Sequence, residues 1–133
     1  MRKYESLNRK KYLLNVHIIF STKYRKKILY GALNETIIQK IIELSKKHDW
    51  VIDAMNTDLD HIHILLGYKT TERICDIIKI LKQETTYEAW HKYDTFLNRV
   101  YFRKKNLWAD GYFVCSTGNV SSNIIQRYIE NQG

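Results

Sequence analysis

The stretch Asp60-His61-Ile62-His63-Ile64-Leu65-Leu66 decides the fold. It alternates with a period of two, so His61 and His63 point to one face of a strand and Ile62, Ile64 and Leu66 to the other. One face suits a core and the other carries two imidazoles, which on the exposed side of a half-buried strand are able to grip one metal ion. Working outward, residues 50–57 read as a partner strand, joined to a strand over 61–68 by the hairpin turn Asp58-Leu59-Asp60. Upstream, residues 12–22 alternate with Leu14, Val16, Ile18 and Phe20 on one face, and end in the polar loop Lys23-Tyr24-Arg25-Lys26-Lys27.

Residues 34–48 have helical spacing, with Ile37, Ile38, Ile41, Ile42 and Leu44 as the apolar stripe. Asn34 is the expected cap, Glu35 suits the positive end, and Lys46, Lys47 and His48 suit the negative end. A second helix is expected over 72–90, where Ile74, Ile77, Ile78 and Leu81 recur at helical intervals. Residues 91–107 are aromatic, basic and aperiodic, and read as a long loop beside the functional face. A last strand over 110–117 surrounds Tyr112-Phe113-Val114-Cys115. Gly118-Asn119 breaks it, and a helix runs from about Val120 onward. The first six elements match an α+β, ferredoxin-like (split βαβ) antiparallel sheet with helices on one face, and a C-terminal helix carrying Tyr128 follows. The open face of such a sheet is where His61 and His63 would project.

The 133 residues suit one domain spanning 1–133. With 44% apolar and 27% charged residues, a disordered chain is excluded. No apolar run is long enough to span a bilayer, and the first residues lack a signal peptide's apolar stretch. Cys75 and Cys115 are far apart and outside any Cys-x-x-Cys pair, as expected of two structural thiols in a reducing cytoplasm.

The net charge of +8 is concentrated at one end. Residues 1–27 hold nine Lys or Arg against Glu5 alone, among them Lys10, Lys23, Arg25, Lys26 and Lys27, while the rest carries thirteen charges of each sign. A second basic run includes Arg103, Lys104 and Lys105. Tyrosines such as Tyr24 lie between the cations and offer faces for base stacking, a combination that suits nucleic acid. The same charges also serve a solvated, soluble face.

The candidate chemical groups each have a plain alternative. His61 and His63 read equally as exposed polar residues of an amphipathic strand. His17, His48 and His91 have no partner at metal-ligand spacing and read as ordinary surface or helix-end residues. Tyr128 falls in a helical column with Val120 and Ile124, where packing alone accounts for it, and Gln132 lies one turn further on. A phenol with a pKa of about 10 needs a nearby cation or an activated electrophile to attack at neutral pH. Two neutral imidazoles and an amide oxygen leave open positions on a divalent ion for phosphate oxygens and water. That set is compatible with Mg2+ or Mn2+, although imidazoles favour later transition metals.

The chain resembles the single-tyrosine HUH transposases of the insertion sequence 200/605 family. His61-Ile62-His63 fits the histidine-hydrophobic-histidine motif. Val16-His17-Ile18-Ile19-Phe20 with Lys23-Tyr24-Arg25-Lys26-Lys27 is similar to the first strand and following segment, where Arg25-Lys26 stands for a paired arginine. Leu107-Trp108, Phe113 to Gly118 and Ile125 to Gln132 match the later motifs in order. The resemblance implies metal-dependent cleavage of single-stranded DNA bearing hairpins, and strand transfer through a 5′-phosphotyrosine. It makes Tyr128 the nucleophile, His61, His63 and Gln132 the ligands of a divalent metal, and the protein a homodimer of the kind in which this tyrosine commonly acts beside the histidines of the partner subunit rather than of its own. A reading from another class remains beside it: a ferredoxin-like module that binds single-stranded nucleic acid without chemistry. A domesticated relative that processes palindromes lies between the two.

Overall fold

The structure is a computed structural model, and it describes residues 13–117 together with Arg127, Ile129 and Glu130. Strand β1 (Leu14–Ser21) leads through a tight turn at Lys23–Arg25 to helix α1 (Gly31–His48). Strands β2 (Val51–Asp58) and β3 (His61–Tyr68) form the hairpin, helix α2 (Ile74–Tyr101) follows, and β4 (Phe113–Ser116) closes the sheet. The strand order is β2-β3-β1-β4, and every pairing is antiparallel. This is the ferredoxin-like order, with both crossover helices on one face.

The alternating residues account for this layering. Val16, Ile18 and Phe20 of β1 and Ile62, Ile64 and Leu66 of β3 are buried against Ile37 and Ile41 of α1 and Ile77, Ile78 and Leu81 of α2. In the register of the central pair, Ile18 stands opposite Ile64 and Ile19 opposite His63. The second face therefore carries His17, Ile19 and Ser21 beside His61, His63 and Leu65. Ile19 and Ser21 are buried on this side too, with Ile19 outside the main core cluster.

Three local expectations are corrected. Helix α1 begins at Gly31, not Asn34, and Tyr30 takes the cap position without a side-chain hydrogen bond. Gly31 has φ of +58°, a value that suits glycine at the turn into the helix. The hairpin turn is the two residues Leu59-Asp60, because β2 runs on through Asp58. The largest change is over 91–107. Helix α2 continues to Tyr101, with non-helical dihedrals at Tyr93 (φ −129°, ψ 36°). Beyond that break Leu97 and Tyr101, one turn apart, are buried in the same core as Ala89 and Trp90. Trp90, Tyr93, Leu97 and Tyr101 recur at helical intervals through the irregularity at Tyr93, so the stripe that faces the core continues past residue 90.

Candidate active site

The hairpin turn brings Asp60 next to the first histidine. The Nδ1–H of His61 donates to Asp60 Oδ1 at 3.0 Å, which fixes that tautomer and leaves Nε2 with a bare lone pair. Arg25 donates from Nε to the other carboxylate oxygen at 3.1 Å. Burial alone would raise the Asp60 carboxyl, but the hydrogen bonds from His61 and Arg25, with the attraction of the Arg25 cation, hold it below its ordinary value. The carboxylate is thus ionised and orients one imidazole.

The second histidine has a partner that spacing in the chain did not suggest. His17 Nδ1 lies 2.8 Å from His63 Nε2, one nitrogen supplying the proton and the other accepting it. The rings are 5.0 Å apart between centroids. His17 is therefore no ordinary surface residue. It stands diagonally across the β1–β3 ladder from His63, two places along from Ile19, and strand alternation together with strand order would have found it. Burial, and then the neighbouring His17 and His61, push His63 below its ordinary value, so its imidazole is neutral near pH 7. Ser21, the register partner of His61, has a buried hydroxyl without a hydrogen-bond partner among the described residues.

The loop after β1 is stitched to the same hairpin. Thr22 N–H donates to Asp60 O at 2.9 Å and Leu29 N–H to Leu59 O at 2.9 Å, while Thr22 Oγ1 donates to Lys26 O at 2.7 Å. Tyr24 and Arg25 are both left-handed, with φ of 59° and 54°. For residues other than glycine such geometry costs on the order of 1–2 kcal/mol each. The turn leaves Tyr24, Lys26 and Lys27 exposed and directs Arg25 inward. Its Nη1 donates to the carbonyl oxygen of Ile129, so the helical residues Arg127, Ile129 and Glu130 return to this side of the sheet.

The two basic segments also meet. Lys23 N–H donates to Leu107 O at 2.8 Å, Thr22 bridges to Trp108, and Tyr101 Oη donates to Lys23 O at 3.2 Å and to Leu107 O at 3.3 Å. Arg103, Lys104 and Lys105 are exposed beyond the end of α2, and Lys23 lies 3.8 Å from Asp110. Lys10, Tyr128 and Gln132 lie outside the described residues.

The donor set fits a divalent metal as one side of a site. It supplies two imidazoles on one strand face: His61 is held by a carboxylate with Nε2 turned away from it, and His63 is kept neutral, with its Nε2 shared with His17 and its Nδ1 left to ligate. Among the described residues no three His, Cys, Asp or Glu side chains gather into a complete site. The described helices include none long and apolar enough to cross a membrane.

The face of this ferredoxin-like sheet expected to be open is largely covered, with Ile19 and Ser21 buried on it, and it carries a His-x-His pair beside a basic corner, a combination that suits a nucleic-acid-processing domain. The sequence model of the family described as "Transposase IS200 like" matches residues 10–132, and the chain belongs to that family. It is thus a transposase, an enzyme of DNA recombination. It is 26% identical over 121 residues to the ISDra2 transposase TnpA of Deinococcus radiodurans, covering 91% of this chain and 85% of that one. It is likewise 26% identical over 131 residues to the transposase of insertion sequence element IS200 from Salmonella typhimurium, covering 96% and 82%. The crystal structure of a Deinococcus radiodurans transposase superposes with a TM-score of 0.82 at 27% identity, over 91% of this chain and 92% of that one. A tyrosine transposase bound to a REP hairpin shares the fold, with a TM-score of 0.55 at 11% identity over 88% of this chain and 62% of that one.

Proposed function

We propose that this transposase cuts and rejoins single-stranded DNA at hairpin-bearing ends, with Tyr128 as nucleophile. The phenolic oxygen attacks the scissile phosphorus, the bond from phosphorus to the 3′ oxygen breaks, and that oxygen leaves as a 3′-hydroxyl after taking up a proton. The 5′-phosphate stays on Tyr128 until another 3′-hydroxyl attacks it and returns the phenol. One phosphoester replaces another at each stage, so no nucleotide hydrolysis is needed.

His61, His63 and Gln132 are the residues that would hold a divalent ion, Mg2+ or Mn2+. When bound, the ion polarises the phosphate and offsets charge on the leaving oxygen. Asp60 keeps His61 in the tautomer whose Nε2 is available, and His17 restrains the ring of His63. Exposed Lys26, Lys27, Arg103, Lys104 and Lys105 supply cations for the DNA backbone. The homodimer that the resemblance implies is part of this proposal.

The observation that carries the reading is the histidine pair on the second face of this family's sheet, with one ring already held by a carboxylate. The test is incubation with hairpin-bearing single-stranded DNA and Mg2+, followed by a denaturing gel. A protein–DNA adduct that Tyr128→Phe abolishes supports the enzyme. Tight hairpin binding with no adduct across many sequences favours the non-catalytic binding module.

A further inference from the structure

We propose that Ser21 is an outer partner of the divalent ion at the histidine pair: a buried hydroxyl that hydrogen-bonds the ion's hydration shell rather than any protein group. This rests on the reading of His61 and His63 as metal ligands and adds a positioning residue to it. Ser21 ends β1 and is the register partner of His61, while Ile19 stands opposite His63. Residues directly opposite in an antiparallel pair have Cβ atoms about 4.5–5.5 Å apart on one face, so the hydroxyl shares its surroundings with the first imidazole. The two residues sit on neighbouring strands of one sheet, so their pairing lies within one chain.

Ser21 is 1% exposed, and its Oγ has no hydrogen-bond partner among the described residues; the other such side-chain atom is Asn34 Oδ1, on α1. The polar atoms around the histidines are matched. His61 Nδ1 bonds Asp60, Asp60 bonds Arg25, and His17 Nδ1 bonds His63 Nε2. Even the main-chain oxygen of Ser21 accepts from Ala109 N–H at 2.9 Å. Packing does not explain the hydroxyl, because Ile19, two residues back on the same face, is fully buried as apolar fill. A buried hydroxyl without a partner costs free energy, and native proteins keep few of them. A hydrated ion held by His61 and His63 supplies the partner, since a hydroxyl both donates and accepts. Imidazoles alone favour later transition metals, whereas Mg2+ dehydrates reluctantly and keeps several waters. A hydroxyl beside the pair therefore tilts the site toward a hard, hydrated ion.

The experiment compares the full chain with Ser21→Ala and His61→Ala, without DNA. In EDTA, Ser21→Ala is expected to raise Tm by roughly 3 °C or more, because it removes an unsatisfied buried hydroxyl. If that hydroxyl had a protein partner, in its own chain or in the partner subunit, the same change would lower Tm instead. Mn2+ binding is then followed by the electron paramagnetic resonance signal of the free ion. His61→Ala is expected to lose the site, and Ser21→Ala to weaken it by about tenfold, as for other groups that support metal ligands from behind. The two signs together, a more stable protein that holds Mn2+ less well, are not what a merely structural serine produces. A Tm in EDTA no higher than the parent's would overturn the proposal, as would Mn2+ affinity within about twofold of the parent's. Equal Mn2+ binding by the parent and His61→Ala would sink the metal reading, and Ser21 with it. Loss of the ion in His61→Ala with full retention in Ser21→Ala would sink Ser21 alone.

Discussion

Replacing Tyr101 by Phe tests the joint between the two basic segments, and its pH dependence has a definite sign. Tyr101 is 3% exposed, and its hydroxyl donates to Lys23 O and Leu107 O. Both carbonyls keep backbone donors, from Lys26 and Lys23. The loss is therefore that of a net hydrogen bond, about 1 kcal/mol. Burial, with a small contribution from Tyr24, pushes the Tyr101 phenol far above its ordinary value of 10.0. The unfolded chain releases this proton above pH 10 while the folded protein keeps it. Stability from Tyr101 is thus fully present below pH 10 and lost as pH rises beyond it. By pH 11 the loss amounts to about 1.4 kcal/mol. Other titrating groups are common to both proteins and cancel in the difference. Urea denaturation followed by tryptophan fluorescence should find Tyr101→Phe less stable by about 1 kcal/mol at pH 9 and no less stable than the parent near pH 11. Parallel stability curves from pH 9 to 11 would refute the reasoning.

Leu97→Ala should cost about 3 kcal/mol and lower Tm by roughly 10 °C, because Leu97 is fully buried in the second half of α2. A change near zero in thermal denaturation would mean that this segment does not pack. His61→Ala should reduce cleavage by more than about 100-fold and leave hairpin affinity nearly unaltered, since the imidazole acts at the scissile phosphate. Equal loss of binding in a gel-shift titration would make the histidine structural. If the five exposed cations Lys26, Lys27, Arg103, Lys104 and Lys105 meet phosphates, log affinity should fall against log salt with a slope of roughly −3.5 to −4.5. The paired change Lys104→Gln with Lys105→Gln should flatten that slope by about 2, and an unaltered slope would remove them from the DNA surface.

The sheet was legible because the core-facing residues of its central strands, β1 and β3, recur at every second position. Ile18, Ile62 and Ile64 could face only the core, which sends His61 and His63 to the other side. The hairpin followed from the short polar turn between two such runs. The second half of α2 was harder to read because its core face is built from Tyr93, Phe96, Leu97 and Tyr101 among polar residues, whereas the first half shows a plain stripe of isoleucines and leucine. His17 was missed for a different reason. Its nearness to His63 is a product of strand pairing across 46 positions of chain, and spacing along the sequence does not report it. The Arg25 contacts belong to the same kind: a string of basic residues reads as uniformly solvated, yet two left-handed residues single out one member and turn it inward. Local patterns reveal which face a side chain takes, whereas register and loop geometry decide whom it meets.

The account's central claim is covalent attachment of DNA to one tyrosine among ten. Protease digestion of the protein after reaction with hairpin-bearing single-stranded DNA and Mg2+, followed by tandem mass spectrometry, locates the modified residue. The account predicts a 5′-phosphonucleotide on Tyr128 alone and none when His61 is Ala. A nucleotide on another residue, or cleaved DNA with every tyrosine unmodified, would contradict it.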